Sequence, residues 1–216
     1  MMYRVTRQAI GLLTAVVALA PLGAMAQAPK AKNQPAKPTP SVLRVIPHVN
    51  LTLLDPTWTS IYITRNHGYM IYDTLFAVDA EGKVRPQMVD SWTASPDGMT
   101  WTFKLRDGLK WHDGKDVTAE DCVASLKRWS TRSGVGQQLF DFVADISAMD
   151  DKTLVMKMKA PYGYVLESLA QISSYVPFML PKHIAETDPG KPIAEYVGSG
   201  PFIFKQDEFV PGVKAV

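Results

Sequence analysis

The chain has 216 residues, a formal net charge of +2 and 46% hydrophobic residues, enough for one sizeable core. Its Lys and Arg do not cluster, which argues against a nucleic-acid footprint. Its single cysteine, Cys122, excludes an internal disulfide and leaves stability to burial.

The first 26 residues read as a signal peptide. Arg4 and Arg7 form a positive start, and Ile10 to Leu22 is apolar apart from Gly11, Thr14 and Pro21. Ala24-Met25-Ala26 offers the small-x-small pattern of a cleavage site, so cleavage is expected after Ala26. The apolar run of roughly 13 residues is short of the ~20 a spanning helix needs, so no membrane span is expected after cleavage. There is no Arg-Arg pair for a twin-arginine route, and residue 27 is Gln rather than a lipid-anchoring Cys. Residues 27–41 are mostly Ala, Lys, Gln and Pro with no large apolar residue, and read as a disordered Lys/Pro-rich linker. The body after residue 41 is slightly acidic.

Within the body, Leu43-Arg44-Val45-Ile46 reads as a short strand, and Leu53-Leu54-Asp55-Pro56 as a turn. Ile61 to Leu75 has helical spacing. Trp101, Phe103 and Leu105 alternate with Thr100, Thr102, Lys104 and Arg106, which predicts a strand over 100–106. Pro96-Asp97-Gly98 is its leading turn and Ser91 to Ser95 its partner strand. Asp107-Gly108 and Asp113-Gly114 are two further turns. Thr118 with Asp121 three residues on is a capping box, and Cys122, Val123, Leu126 and Trp129 continue it as a helical stripe. Asp150-Asp151-Lys152 is a hairpin turn between strands at 146–148 and 154–158. Tyr164 to Ile172 reads as helix and Phe202 to Phe204 as strand. The class is mixed α and β, without internal repeats.

A catalytic constellation is not found. Gly198-Ser199-Gly200 lacks the spacing of a nucleophile elbow and runs into Pro201. The four histidines show no i, i+4 pair, so no metal site is expected. His112-Asp113 reads as a strand end entering a turn, and Cys122 as a small buried hydrophobe. No cofactor is called for. The sequence is instead rich in aromatics, and Trp58, just past the Asp55-Pro56 turn, has no periodic partner that would place it in a core. An aromatic on such a loop can line a ligand cleft. Trp58, Thr59, Ser173 and Tyr175 are the candidate ligand-binding residues.

Six segments, in order, resemble the extracellular solute-binding proteins of ABC importers, family 5, which includes dipeptide-, oligopeptide- and nickel-binding members. They are Leu54-Asp55-Pro56, Ile71-Tyr72-Asp73-Thr74-Leu75-Phe76, Arg85 to Trp92, Asp97 to Gly114, Thr118 to Cys122, and Gly198-Ser199-Gly200-Pro201-Phe202. Met88, Val89 and Cys122 depart from the usual residues. The resemblance implies a two-lobed periplasmic-binding-protein fold, of which this chain reads as the first lobe: a mixed sheet with flanking helices plus an inserted β-rich subdomain. It places 42–56 and 177–216 in the main lobe and 57–176 in the insertion. Asp55, Pro56, Asp97, Gly98, Asp113, Gly114, Gly198, Gly200 and Pro201 are then its structural motif positions. Family members are much longer, so the chain is expected to be a fragment without the second lobe, and to bind solutes weakly or not at all by itself. The implied role is a periplasmic, non-enzymatic receptor that takes up a peptide or similar small solute and passes it to ABC permease subunits. A secreted hydrolase using His112, Asp113 or Ser199 is the alternative, and a structural envelope protein a third reading.

Overall fold

The computed structural model describes residues 44–216. The expected signal peptide (1–26), the linker (27–41) and the start of the expected first strand lie outside the described residues. In chain order the elements are α1 (Tyr62–Ile71), β1 (Phe76–Val78), β2 (Val84–Pro86), β3 (Val89–Ala94), β4 (Thr100–Leu105), α2 (Ala119–Arg132) and α3 (Gly134–Phe142). They are followed by β5 (Val143–Ala148), β6 (Thr153–Met158), α4 (Val165–Leu169) and α5 (Lys182–Ala185), with a 3-10 turn at Gln206–Glu208.

An antiparallel sheet in the order β3-β4-β6-β5 forms the centre, with β1-β2 as a separate ribbon. The alternation predicted for 100–106 holds in the second half, where Phe103 and Leu105 are buried and Lys104 is exposed, whereas Trp101 is only half-buried, like Thr100 and Thr102, and the strand ends at Leu105. Phe103 pairs with Trp92 on β3 and Leu154 on β6. The 96–98 turn brings the chain back, with Gly98 at φ 69°, a region glycine enters without steric cost.

Helix α2 starts where the capping box predicts. Thr118 Oγ1 accepts from the Asp121 amide at 3.3 Å, and Asp121 Oδ2 accepts from the Thr118 amide at 2.9 Å. The predicted stripe packs onto the sheet: Cys122, Leu126 and Trp129 are buried with Phe103, Leu105, Leu154 and Met156. Each large apolar side chain removed from water in this way contributes about 1.5–3 kcal/mol before ordering costs. The opposite face of α2 meets a second cluster, in which Ala124 packs with Leu54, Ile71, Tyr72, Val176, Phe178, Leu180 and Phe204. Helix α2 is therefore a wall between two cores. Ser125 Oγ donates to the Leu180 carbonyl at 3.0 Å and accepts from the Leu180 amide at 2.8 Å, sealing the second contact.

Two expected strands do not form. Arg44 to Ile46 is irregular, with Val45 66% and Ile46 96% exposed. No described segment pairs with it, and an apolar run becomes a strand only with a ladder partner. Phe202 to Phe204 is irregular because its backbone is spent elsewhere: the Phe202 amide donates to the Met70 carbonyl at 3.0 Å. These were the segments on which a mixed sheet of the main lobe would rest, and both described sheets are antiparallel.

The helix expected over 61–75 stops at Ile71, where Tyr72 turns extended. The following Thr74 amide and hydroxyl both donate to Gln87 Oε1, at 2.8 and 2.6 Å. The helix expected over 164–172 shortens to α4. Helix α3 lay beyond the periodicity, since Gly134 and Gly136 lower helix propensity. Gly136 is there for close approach: a Cβ would lie 2.9 Å from Ser130 Cα.

His67 lies on α1 edge-on to Phe204, with ring centroids 5.4 Å apart. Its Nδ1 is buried without a partner, and burial lowers its pKa from 6.5 to about 4. The native state keeps His67 neutral while the unfolded chain binds a proton below pH 6.5. Stability contributed by neutral His67 is thus lost as pH falls through that window. Between about pH 7 and about pH 5, wild type should lose on the order of 2 kcal/mol more than His67→Phe. Urea midpoints at the two pH values measure this; equal losses would refute it.

Candidate functional site

The site is built from two loops that meet the C-terminal half of α2. The first is Asp55-Pro56-Thr57-Trp58-Thr59. Asp55 Oδ1 accepts from the Thr57 amide at 2.8 Å, the Thr57 hydroxyl at 2.7 Å and the Trp58 amide at 3.2 Å. Its Oδ2 accepts from the Ile193 amide at 2.9 Å and faces Arg128 at 3.6 Å. Arg128 is 4% exposed, and its guanidinium is saturated. It donates to Thr57 Oγ1 (3.1 Å), to the carbonyl and hydroxyl of Thr187 (2.8 and 3.2 Å) and to the Lys191 carbonyl (3.0 Å). A buried ion pair is tolerated only when its remaining donors and acceptors are satisfied, as here.

That network holds Trp58 half-buried. The indole N–H donates to the Gly190 carbonyl at 3.3 Å. Arg132 lies over the ring at 5.1 Å and donates to the Trp58 carbonyl at 3.1 Å. Thr59 is buried, and its hydroxyl accepts from the Ile61 amide at 3.4 Å.

The second loop runs from Ala170 to Val176. The Trp129 indole donates to the Tyr175 carbonyl at 2.7 Å, and the Ser133 hydroxyl to Gln171 Oε1 at 3.1 Å. Gln171 donates onward to the Ser173 carbonyl at 2.8 Å, and Ser174 takes φ 56°. From α1, the Tyr69 hydroxyl donates to the Ile172 carbonyl at 3.2 Å. Ser173 is exposed and Tyr175 half-buried. Trp58 is therefore held by Arg132, and Tyr175 by Trp129, one turn away on the same helix.

A third segment, Gly198 to Phe202, closes over the C-terminus of α1. Gly200 and Phe202 donate their amides to the otherwise unpaired carbonyls of Ile71 (2.9 Å) and Met70 (3.0 Å). His112 stitches the segment down from the other side. Its amide donates to the Gly198 carbonyl at 2.8 Å, and its Nε2 meets the Gly200 carbonyl at 2.9 Å. Ser199 Oγ donates to Asp73 Oδ2 at 2.8 Å, and Asp73 Oδ1 accepts from Gln87 at 2.6 Å. Ser199 and His112 are thus neighbours that bond to different groups, and no hydroxyl–imidazole dyad is made. Asp97 and Asp113 sit in turns, accepting from the Met99 and Lys115 amides at 3.0 and 3.1 Å. Gly114, at φ 87°, completes the second turn. Cys122 is fully buried and burial pushes its thiol pKa up, away from reactive thiolate chemistry.

Among the described residues, no group of three or more His, Cys, Asp or Glu could hold a metal ion. None of their helices is long and apolar enough to cross a membrane. Two depressions bear on the search for a site. One, about 230 Å³, lies by Trp111, Lys115 and Lys182. Its charges neutralise one another, with Lys115 on Asp113 and Lys182 on Glu120, both at 2.8 Å. The other, about 410 Å³, is a groove between α1, β1 and the 170–172 loop.

Sequence reasoning missed Arg128, Asp73 and Gln87. Only one signal pointed to Arg128. Asp121, Ala124, Ser125 and Arg128 recur at helical spacing opposite the apolar stripe, the pattern of a helix that buries a second face against close neighbours.

The sequence profile of the bacterial extracellular solute-binding proteins, family 5 (middle), matches residues 83–216. Probable peptide ABC transporter periplasmic-binding protein y4tO of Sinorhizobium fredii is 44% identical over 163 residues, which are 76% of this chain and 30% of that protein. The glutathione-binding protein GsiB of Escherichia coli K12 is 32% identical over 169 residues, 74% of this chain and 32% of GsiB. Among solved structures, MoaA of A. tumefaciens R10, in complex with mannopinic acid, superposes with a TM-score of 0.64 at 27% identity. That match covers 77% of this chain and 34% of MoaA. The chain thus spans about a third of the length of the relatives it matches. With the profile covering more than half of its residues, the chain belongs to the bacterial extracellular solute-binding proteins, family 5.

Proposed function

We propose that this chain supplies one lobe of the substrate-binding component of an ABC importer, which captures a peptide or similar small solute in the periplasm and delivers it to a membrane permease. The observation that carries this reading is the 44% identity to the peptide ABC transporter periplasmic-binding protein of S. fredii. We place a main lobe at 42–56 and 177–216 and an insertion at 57–176; Leu54, Phe178, Leu180, Ile184 and Phe204 of the former gather in the second core, to which Ile71, Tyr72, Ala124 and Val176 of the insertion also contribute. The rigid, ion-paired loop under Trp58 and the loop of Ser173 and Tyr175 support a cleft rim at the end of α2. The binding reading needs no nucleophile, whereas the hydrolase reading needs an imidazole on the Ser199 hydroxyl, and His112 Nε2 meets the Gly200 carbonyl instead. A signal peptide over 1–26 and the residual linker over 27–41 fit export.

A chimaera tests the proposal: the matched part of the S. fredii relative is replaced by the corresponding part of this chain, in a host lacking its own peptide-binding component. Permease-dependent uptake of intact peptide is the expected result. A folded, exported chimaera that supports no uptake, or that cleaves the peptide, would overturn the reading.

A further inference from the structure

The groove beside α1 carries one uncompensated charge. Of the residues lining it, only Arg65 is ionised; the others include Tyr69, Gln87, Phe76, Val78 and Ile172. Arg65 makes no salt bridge with a described residue. Its guanidinium lies 4.7 Å over the Tyr62 ring and reaches Asn66 Oδ1 only at 3.5 Å. Its Nε is buried and has no hydrogen-bond partner. A buried, unpaired N–H on a cation costs free energy, and native structures leave such groups unmet mainly where something else meets them. The buried Arg128 has its donors met, and of the four buried side-chain atoms without a partner among the described residues, Arg65 Nε is the only one on a cationic group.

The geometry points to a binding subsite for a small solute that carries one carboxylate and an apolar body. Arg65 receives the carboxylate, and the wall of Phe76, Val78 and Ile172 receives the apolar part. The planar guanidinium matches a carboxylate with two parallel N–H donors. Ile172 is 55% exposed, an apolar surface at the mouth with no described side chain covering it. The Tyr69 phenol stays neutral beside the cation, since burial raises its pKa more than Arg65 lowers it. The groove's volume of about 410 Å³ falls within the usual range of small-molecule sites. The other depression lacks this character, because each of its cations already has a carboxylate. The inference rests on the solute-binding reading and names the chemistry that this lobe recognises.

The test uses the purified 216-residue chain and nuclear magnetic resonance of two groove probes, the Arg65 Nε–H and the Ile172 methyls. The Nε–H is read at mildly acidic pH, where exchange with water slows, and the Ile172 methyls report independently of exchange. The probes are 4-methylpentanoate, the dipeptide Leu-Leu, and the amide of each. Saturable shifts, weak because one lobe supplies only part of the contact, are expected at both sites with the acids, and roughly tenfold or more weaker binding with the amides. Arg65→Gln should abolish the preference for acid over amide at Ile172, and Arg65→Lys, which keeps the charge without the fork, should keep part of it. Arg65 touches only the exposed Tyr62 ring and Asn66, so both variants should fold. Response to the dipeptide alone would identify a peptide C-terminus as the source of the carboxylate; response to 4-methylpentanoate alone, a free organic acid. No saturable shift, or equal shifts with acid and amide, would overturn the subsite. Shifts confined to the Trp58 indole would overturn it while leaving the solute-binding reading intact. Acid-selective binding here, with a chimaera that fails in uptake, would leave the subsite standing without the importer.

Discussion

Arg128→Ala should lower the stability of this lobe by about 3–5 kcal/mol, the cost of removing one partner from a buried ion pair. The arginine and Asp55 are each 2% exposed at the side chain. Truncation leaves Asp55 Oδ2 with the Ile193 amide alone, and strips the carbonyls of Thr187 and Lys191 of their donors. A buried polar group left unmet costs more than the bond it made was worth. Asp55→Ala should cost a similar amount, because it leaves the guanidinium charged and buried. The double variant should cost clearly less than the sum, since neither charge is then stranded. Urea unfolding of the four proteins measures the cycle; additive losses would show that the two groups do not act as a pair. Trp58 should respond too. Its loop is fixed through Thr57 and Asp55, so Arg128→Ala should shift its indole fluorescence toward that of an exposed tryptophan before global unfolding.

The capping box, the 100–106 strand, the 150–152 hairpin and the stripe of Cys122, Leu126 and Trp129 were legible because each is specified within a few residues. Turn chemistry and side-chain period act locally, so the sequence carries them openly. The strands at 43–46 and 202–204 failed for the converse reason. Apolar content shows that a segment seeks burial but not which backbone pairs with it, and Phe202 spends its amide on Met70. At the candidate site, Trp58, Thr59, Ser173 and Tyr175 could be named as candidates. What orients them could not. Arg128 reaches Thr57 and Thr187 across 71 and 59 residues, and a contact that long leaves no local pattern. Nothing in the sequence distinguishes Arg65 from any other helix charge, and only its buried, partnerless Nε sets it apart.

Gly198→Ala should be the other severe change, costing roughly 3 kcal/mol or more, and for a different reason from most glycine substitutions. Gly198 does not have a left-handed φ, unlike Gly114 at 87°; its requirement is space. A Cβ there would lie deep inside van der Waals contact of the Ile71 carbonyl oxygen and 2.7 Å from the carbonyl carbon. Both are backbone atoms at the end of α1 and cannot swing aside. The segment must therefore lift, and it carries several bonds with it: Gly200 to Ile71, Phe202 to Met70, His112 to both flanking carbonyls, and Ser199 to Asp73. At about 0.5–1.5 kcal/mol each, their joint loss accounts for the expected size. Gly114→Ala is the control. Nothing lies within 4 Å of its Cβ position, so only the left-handed backbone is penalised, by about 1–2 kcal/mol. The larger loss should also be local in a way the control is not. Freed from Gly200 and Phe202, the last turn of α1 should lose hydrogen-exchange protection. Tyr69 should loosen with it, and through the Ile172 carbonyl the 170–176 loop. Hydrogen exchange of the two variants separates these outcomes. Equal destabilisation, or an unchanged α1 terminus in Gly198→Ala, would mean that the Gly198–Phe202 segment merely passes the helix without holding it, and that the groove and rim beside α1 keep their shape by some other means.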